Sequence, residues 1–181
     1  MPEFENPSKL PRYPLINLVL FHVGWVACIA GAANGVPWVG VGTVVILVAI
    51  HVAQSKRPQL ELGLAVFAAA LGYGFDSALV LLGAFEFPEP AQLGAPSTVW
   101  MAAMWANFAT TLTSSLGWMR GRLPLAFVFG LVGGPVSYFG GHKWGAIQLE
   151  NVISIPVGIE WAIAFPLLVG IAARSTKSPS N

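Results

Sequence analysis

The sequence predicts an all-α fold: a polytopic transmembrane helical bundle of about six spans, with both termini cytoplasmic. Three observations carry that expectation. First, 55% of the 181 residues are hydrophobic and only 9% charged, at a mean hydropathy of +0.69. Soluble domains carry about 25% charged residues, so this supply cannot coat a water-facing surface. Second, the apolar residues gather into six runs, at 15–33, 36–53, 60–85, 99–119, 123–140 and 152–173, and about 20 helical residues cross a ~30 Å hydrocarbon core. The runs are continuous rather than alternating, which argues against barrel strands. Third, the basic residues sort by side. Lys9, Arg12, Lys56, Arg57, Arg120, Arg122, Arg174 and Lys177 fall on the side of the N-terminus, and only Lys143 on the other. An excess of Lys and Arg marks the cytoplasmic face.

Taken in order, residues 1–14 are a polar cytoplasmic lead rich in proline (Pro2, Pro7, Pro11, Pro14). Residues 15–173 form a single transmembrane domain, and 174–181 a short cytoplasmic tail. The first run has a rival reading as a signal peptide, from Lys9 and Arg12 to the small residues 30–33. Its length, and Asn17 and His22 within it, favour a span. His22 has no second ligand at metal spacing on its helix, so a hydrogen bond to a neighbouring helix is expected. The second run is short, with His51 near its cytoplasmic end at the interface; the third is long enough to tilt. The connection 86–98 is acidic and proline-rich. In the fourth run Asn107, Thr110, Thr111 and Ser114 follow i, i+3, i+4, i+7 spacing and share a face, expected to serve helix packing. In the fifth, Pro135 leaves the Leu131 carbonyl without its helical donor. Gly130 with Gly134, and Gly141 with Gly145, are GxxxG pairs suited to close approach. Pro156 and Pro166 are expected to bend the sixth run on either side of Glu160.

Ionisable groups at membrane depth are costly and tend to face a cavity or a partner. Asp76 lies about ten residues from the outer end of the third run and Glu160 about eight from that of the sixth, roughly 12–15 Å below the outer surface at 1.5 Å per residue. Asn107 falls at a similar depth, and Tyr138, His142 and Lys143 close the fifth run at its outer end. These six residues define a candidate polar pocket in the outer half of the bilayer, opening outward or sideways. Asp76 and Glu160 would be acid/base or cation-binding groups, and His142 with Lys143 would meet an anionic head group. The plainer reading is a set of interhelical hydrogen bonds, Asp76 to Asn107 and Glu160 to Tyr138, with Lys143 snorkelling to the interface.

Several classes find no support. No phosphate loop, di-iron histidine box, HExxH or GxSxG motif is present, so neither a metal site nor a cofactor is expected, and no catalytic residue can be assigned. The single cysteine, Cys28, cannot form an internal disulfide, and a net charge of +1 gives no reason to expect nucleic acid. The two three-helix halves do not match as transporter repeats would. The expected partners are membrane lipids and other membrane proteins.

Trp105, Phe108, Thr111-Leu112, Ser115-Leu116 and Trp118, then Gly134-Pro135, Tyr138, Gly141 and Gly145-Ala146, form a pattern that resembles a family of small bacterial inner-membrane proteins, domain of unknown function 2878. Asp76 after Gly72-Tyr73-Gly74-Phe75 adds to the likeness, which spans about residues 15–173 and is weaker at Ser137, Gly140, His142 and Trp144. The resemblance implies several spans, the bacterial inner membrane and no established activity. It also implies an association with lipid-modifying enzymes of the cyclopropane-synthase type. Three functions follow as expectations: an accessory factor or subunit in membrane-lipid modification or handling, a small proton-coupled carrier, or a structural membrane partner.

Overall fold

The computed structural model describes residues 12–151 and 154–176. Most of the expected lead, with Lys9, and the end of the tail, with Lys177, lie outside the described residues, as do residues 152 and 153. Six helices account for nearly everything else: α1 (Arg12–Ala33), α2 (Pro37–Gln54), α3 (Pro58–Leu81), α4 (Val99–Leu112), α5 (Leu123–Lys143) and α6 (Ile155–Thr176). All but α4 are long and apolar enough to cross a membrane. Proline opens α2 and α3 and sits in the first turn of α5, where its missing N–H costs nothing. Pro156 is likewise in the first turn of α6 and starts the helix rather than bending it; only Pro166 is interior.

The fourth run departs most from expectation. Its helix stops at Leu112 after 14 residues. The hydroxyls of Thr110 and Thr111 donate back to the carbonyls of Asn107 and Phe108 at 2.7 and 2.6 Å, a habit that competes with the helical ladder. Beyond Leu112, partners from elsewhere take over. Ser115 donates its hydroxyl (2.8 Å) and its N–H (3.4 Å) to Asn17 Oδ1 on α1, and Arg120 Nη2 donates to the Thr113 carbonyl at 3.2 Å. Ser114 therefore lies past the helix end, not on the face shared by Asn107, Thr110 and Thr111. The third run also ends early, at Leu81. Gly83 adopts φ 73°, and the bonds Gly83 N–H to Val80 O and Ala84 N–H to Leu79 O close the helix, a glycine-based C-terminal motif.

Short α4 is the axis of the bundle. It buries Trp100, Met101, Trp105, Asn107, Phe108 and most of its remaining length. Helices α1, α2 and α3 pack around it, and α6 packs on α3 and touches α4. Helix α5 lies chiefly on α6. Gly130 and Gly134 make that seat: an added Cβ would stand 2.2 Å from the Trp161 carbonyl oxygen or 2.4 Å from Trp161 Cγ. The second GxxxG pair does not form a seat, because Gly145 is a turn residue at φ 83°. Helix α1 leans on α2 and α4 with no comparable contact to α5, which leaves a cleft between them.

The outer connection is a folded cover. Phe85 and Glu86 (β1) pair antiparallel with Gln148 and Leu149 (β2). Phe85, Phe87 and Ala91 are buried in one cluster with Trp100, Tyr138 and Ile147. Trp100 Nε1 donates to the Ala91 carbonyl at 2.8 Å, Tyr73 donates to the Ala95 carbonyl at 2.7 Å, and the Ser97 N–H donates to Ser77 Oγ at 3.2 Å. The loop thereby closes the outer end of the core from above.

Candidate functional site

Asp76, Trp105, Tyr138 and Glu160 form one layer. Asp76 and Tyr138 stand five residues before the ends of α3 and α5, Glu160 five after the start of α6, and Trp105 six after the start of α4. At 1.5 Å per residue, all four are about 8–9 Å from the helix ends. Asp76 is fully buried. Its Oδ2 accepts from Trp105 Nε1 at 2.9 Å and its Oδ1 from the Tyr138 hydroxyl. Gly72 makes the first bond possible. It precedes Asp76 by one helical turn on the same face, and a Cβ there would lie 2.0 Å from Trp105 Cγ. Only a bare backbone lets the indole lie against α3 with its N–H on the carboxylate.

Glu160 is only 4% exposed. It lies close enough to Asp76 and Tyr138 to interact with them electrostatically, yet neither carboxylate oxygen has a hydrogen-bond partner among the described residues. The adjacent Trp161 stacks on Trp105 at 4.2 Å between centroids. Its N–H comes near the Tyr138 hydroxyl without reaching hydrogen-bond geometry. Two buried carboxylates thus share a wall, and among the described residues no basic side chain interacts with either. Burying an unpaired polar group costs free energy, so this is the least satisfied point in the fold.

Beside the layer is a narrow, aromatic-rich cavity of about 40 Å³. A larger groove of about 500 Å³ adjoins it and runs down the cleft between α1, α5 and α6. Phe21, Trp25, Phe108, Ser137 and Trp161 line both. Glycines 133, 134 and 140 form part of the groove, and Trp25 bridges its walls by donating to Ser137 Oγ at 3.0 Å. Exposed Phe129, Val132 and Val136 flank the groove, so it opens sideways onto the apolar flank. A second groove of about 520 Å³, between α2, α3 and α4, is lined by Ala, Val and Leu alone.

The other sequence candidates lie elsewhere. Asn107 does not meet Asp76. It donates to the Phe21 carbonyl of α1 at 2.9 Å, in a space that Gly24 leaves open. His142 accepts at Nδ1 from the Leu149 N–H at 3.4 Å. Lys143 is exposed at the end of α5 with its Nζ 5.1 Å from the Phe139 ring centre. His22 bonds the Leu18 carbonyl of its own helix at 2.7 Å and not a neighbouring one; its exposed ring edges the groove.

A second polar cluster, at the opposite end of the bundle, escapes a reading by depth alone. His51 is buried, not interfacial: its Nε2 is 3.1 Å from Glu61 Oε2. The carboxylate can only accept, so Nε2 carries a proton, and Nδ1 forms a hydrogen bond with the Tyr13 hydroxyl, 3.0 Å away. Thr113 donates to the same Glu61 oxygen at 2.9 Å. One acid thereby ties α1, α2, α3 and the end of α4. Glu61 is the second residue of the apolar run 60–85 and lies in the first turn of α3, at the edge of a span, where depth does not single it out. No group of three or more metal-ligating side chains occurs among the described residues.

No curated protein and no solved structure matches the chain. The family model described as "Protein of unknown function (DUF2878)" matches residues 14–167, a stretch that holds Gly72, Asp76, Trp105, Tyr138 and Glu160. With that span of helices and the whole polar layer inside the match, the chain belongs to this family of unknown function.

Proposed function

We propose that the chain binds a membrane lipid at the Asp76 pocket and serves in membrane-lipid modification or handling, as an enzyme subunit or accessory factor in the bacterial inner membrane. The observation that carries this reading is the sideways groove between α1, α5 and α6. It joins the apolar flank to the cavity whose wall includes Tyr138 and Trp105, the two residues that hold Asp76. The outer loop covers the alternative route from above, so a ligand arriving from the lipid phase has the shorter path. Intramembrane acids commonly mark substrate or ion pathways, and Glu160, unpartnered beside Asp76, supports that role here.

Asp76→Asn tests it. An amide can accept from Trp105 and donate to the Tyr138 oxygen, so the variant is expected to fold while losing the acid. Lipids would be compared in three strains of the native host: intact, gene-deleted, and deleted but carrying Asp76→Asn. A lipid species lost on deletion and not restored by the variant is the expected result. Restoration by the variant would turn the protein into a structural membrane partner. The paired acids Asp76 and Glu160 also favour a second reading, a proton-coupled carrier, and an unchanged lipid profile with altered solute flux in proteoliposomes would select it.

A further inference from the structure

Seven of the thirteen residues that line the inner cavity are aromatic, and Ile29, Met101, Met104 and Ile147 fill most of the rest. Trp25, Trp100, Trp105, Trp161, Phe108 and Tyr138 face it, and indole is the ring that attracts cations most strongly. Three of the four indoles are tied by their N–H groups: Trp25 to Ser137 Oγ, Trp100 to the Ala91 carbonyl and Trp105 to Asp76. Fixed rings lose little freedom when a ligand enters, which is the benefit of preorganisation. One residue behind this wall are Asp76 and Glu160, the latter without a partner. A purely apolar ligand would make no use of the two carboxyl groups, whereas a cation would favour their ionised form. A cation that carries its own hydrocarbon skin meets both features at once.

The geometry points to a binding site for an organic ammonium group in this cavity, with the aromatic rings as its cage and the acids Asp76 and Glu160 behind them as the groups that ionise to meet it. The inference rests on the reading of the Asp76 pocket as a ligand site and names the chemistry of that ligand. The ammonium can be the head of a membrane lipid, entering by the groove, or that of a free amine.

The test uses the full chain in nanodiscs of phosphatidylglycerol, which has no ammonium, and follows tryptophan emission. One arm titrates choline and tetramethylammonium, with 3,3-dimethylbutanol as the uncharged counterpart of choline. The other compares discs doped with phosphatidylethanolamine or phosphatidylcholine. The expected result is a saturable change with the ammonium compounds and a response on the order of tenfold weaker for the neutral alcohol, since desolvated cation–π contacts carry the difference. A response to the free ammonium alone identifies a soluble amine; competition by doped lipid identifies a lipid head group. Glu160→Gln replaces a buried carboxyl group that has no hydrogen-bond partner by an amide of the same shape, so its melting temperature should hold while ammonium affinity falls about tenfold or more. Equal responses to choline and to the alcohol, no response in either arm, or unchanged ammonium binding by folded Glu160→Gln would each overturn the inference. The lipid comparison with Asp76→Asn stands apart from this: lipid loss without ammonium binding would retain the lipid reading and discard the ammonium.

Discussion

A missing side chain can fix a site as firmly as one that is present. Gly72 has no Cβ, and the space a Cβ would fill is occupied by Trp105, 2.0 Å from where that atom would stand. Gly74, two residues on and turned away from α4, has nothing within 4 Å of its own added Cβ. The two positions therefore respond in opposite senses to one methyl group. Gly72→Ala forces the indole off α3 and should lower stability by about 1–3 kcal/mol, the usual cost of overpacking. It should also change the tryptophan emission, because the Trp105 bond to Asp76 cannot survive the shift. Gly74→Ala adds only helix propensity and should be neutral or stabilising by up to about 1 kcal/mol. Thermal unfolding of the two variants in detergent checks the pair, and equal losses would remove Gly72 as the residue that seats Trp105.

At the scale of elements, the helices are held at two ends by different means. The outer end relies on the packed loop and its aromatic cluster, the inner end on Glu61, which gathers His51, Thr113 and, through the imidazole, Tyr13. Glu61→Ala strands the His51 N–H and the Thr113 hydroxyl in a buried place and should cost about 1–3 kcal/mol. Glu61→Gln keeps an acceptor and should cost less, and Tyr13→Phe, at the half-exposed rim, about 0.5–1.5 kcal/mol. Unfolding the three variants in denaturing detergent gives the order, and a Glu61→Ala variant as stable as the parent would reduce the cluster to decoration. Helix number is legible in the sequence because hydrophobic length sets it; the helix ends are less so, and Asp76 and Glu160 each stand five residues from an end where the runs give about ten and eight. Which helices are neighbours is not: Asp76 pairs with Tyr138 and Trp105, while Asn107 at similar depth turns to Phe21 of α1. A helix's rotation about its axis decides that, and GxxxG and polar spacing constrain rotation weakly. Gly72 is the usable signal for Trp105, since a glycine one turn from a buried acid leaves room for a large ring.

The whole molecule has a polarity that its shortest helix puts in question. Lys56, Arg57, Arg120, Arg122 and Arg174 belong to the end that holds Glu61, and Glu86, Glu89, Glu150 and Lys143 to the end covered by the loop. That distribution places the Glu61 end in the cytoplasm, provided α4 crosses. Its 14 residues span only about 21 Å, short of a ~30 Å core. The remainder is made up by the chain from Thr113 to the turn at Met119, whose backbone groups are met by Asn17 and Arg120. Irregular backbone at depth is tolerated where protein surrounds it, and α4 is ringed by α1, α2, α3 and α6. Two exposed positions bracket the crossing, Glu89 before α4 and Arg122 after the turn. In a Cys28→Ala background, a membrane-impermeant thiol reagent should label Glu89→Cys from one side of the sealed membrane, and Arg122→Cys from that side only after the membrane is breached. Labelling of both from one side would mean that α4 enters and returns. That outcome would contradict the fold itself, in which Thr113 bonds Glu61 and Arg122 precedes α5 at that end, opposite the acidic loop.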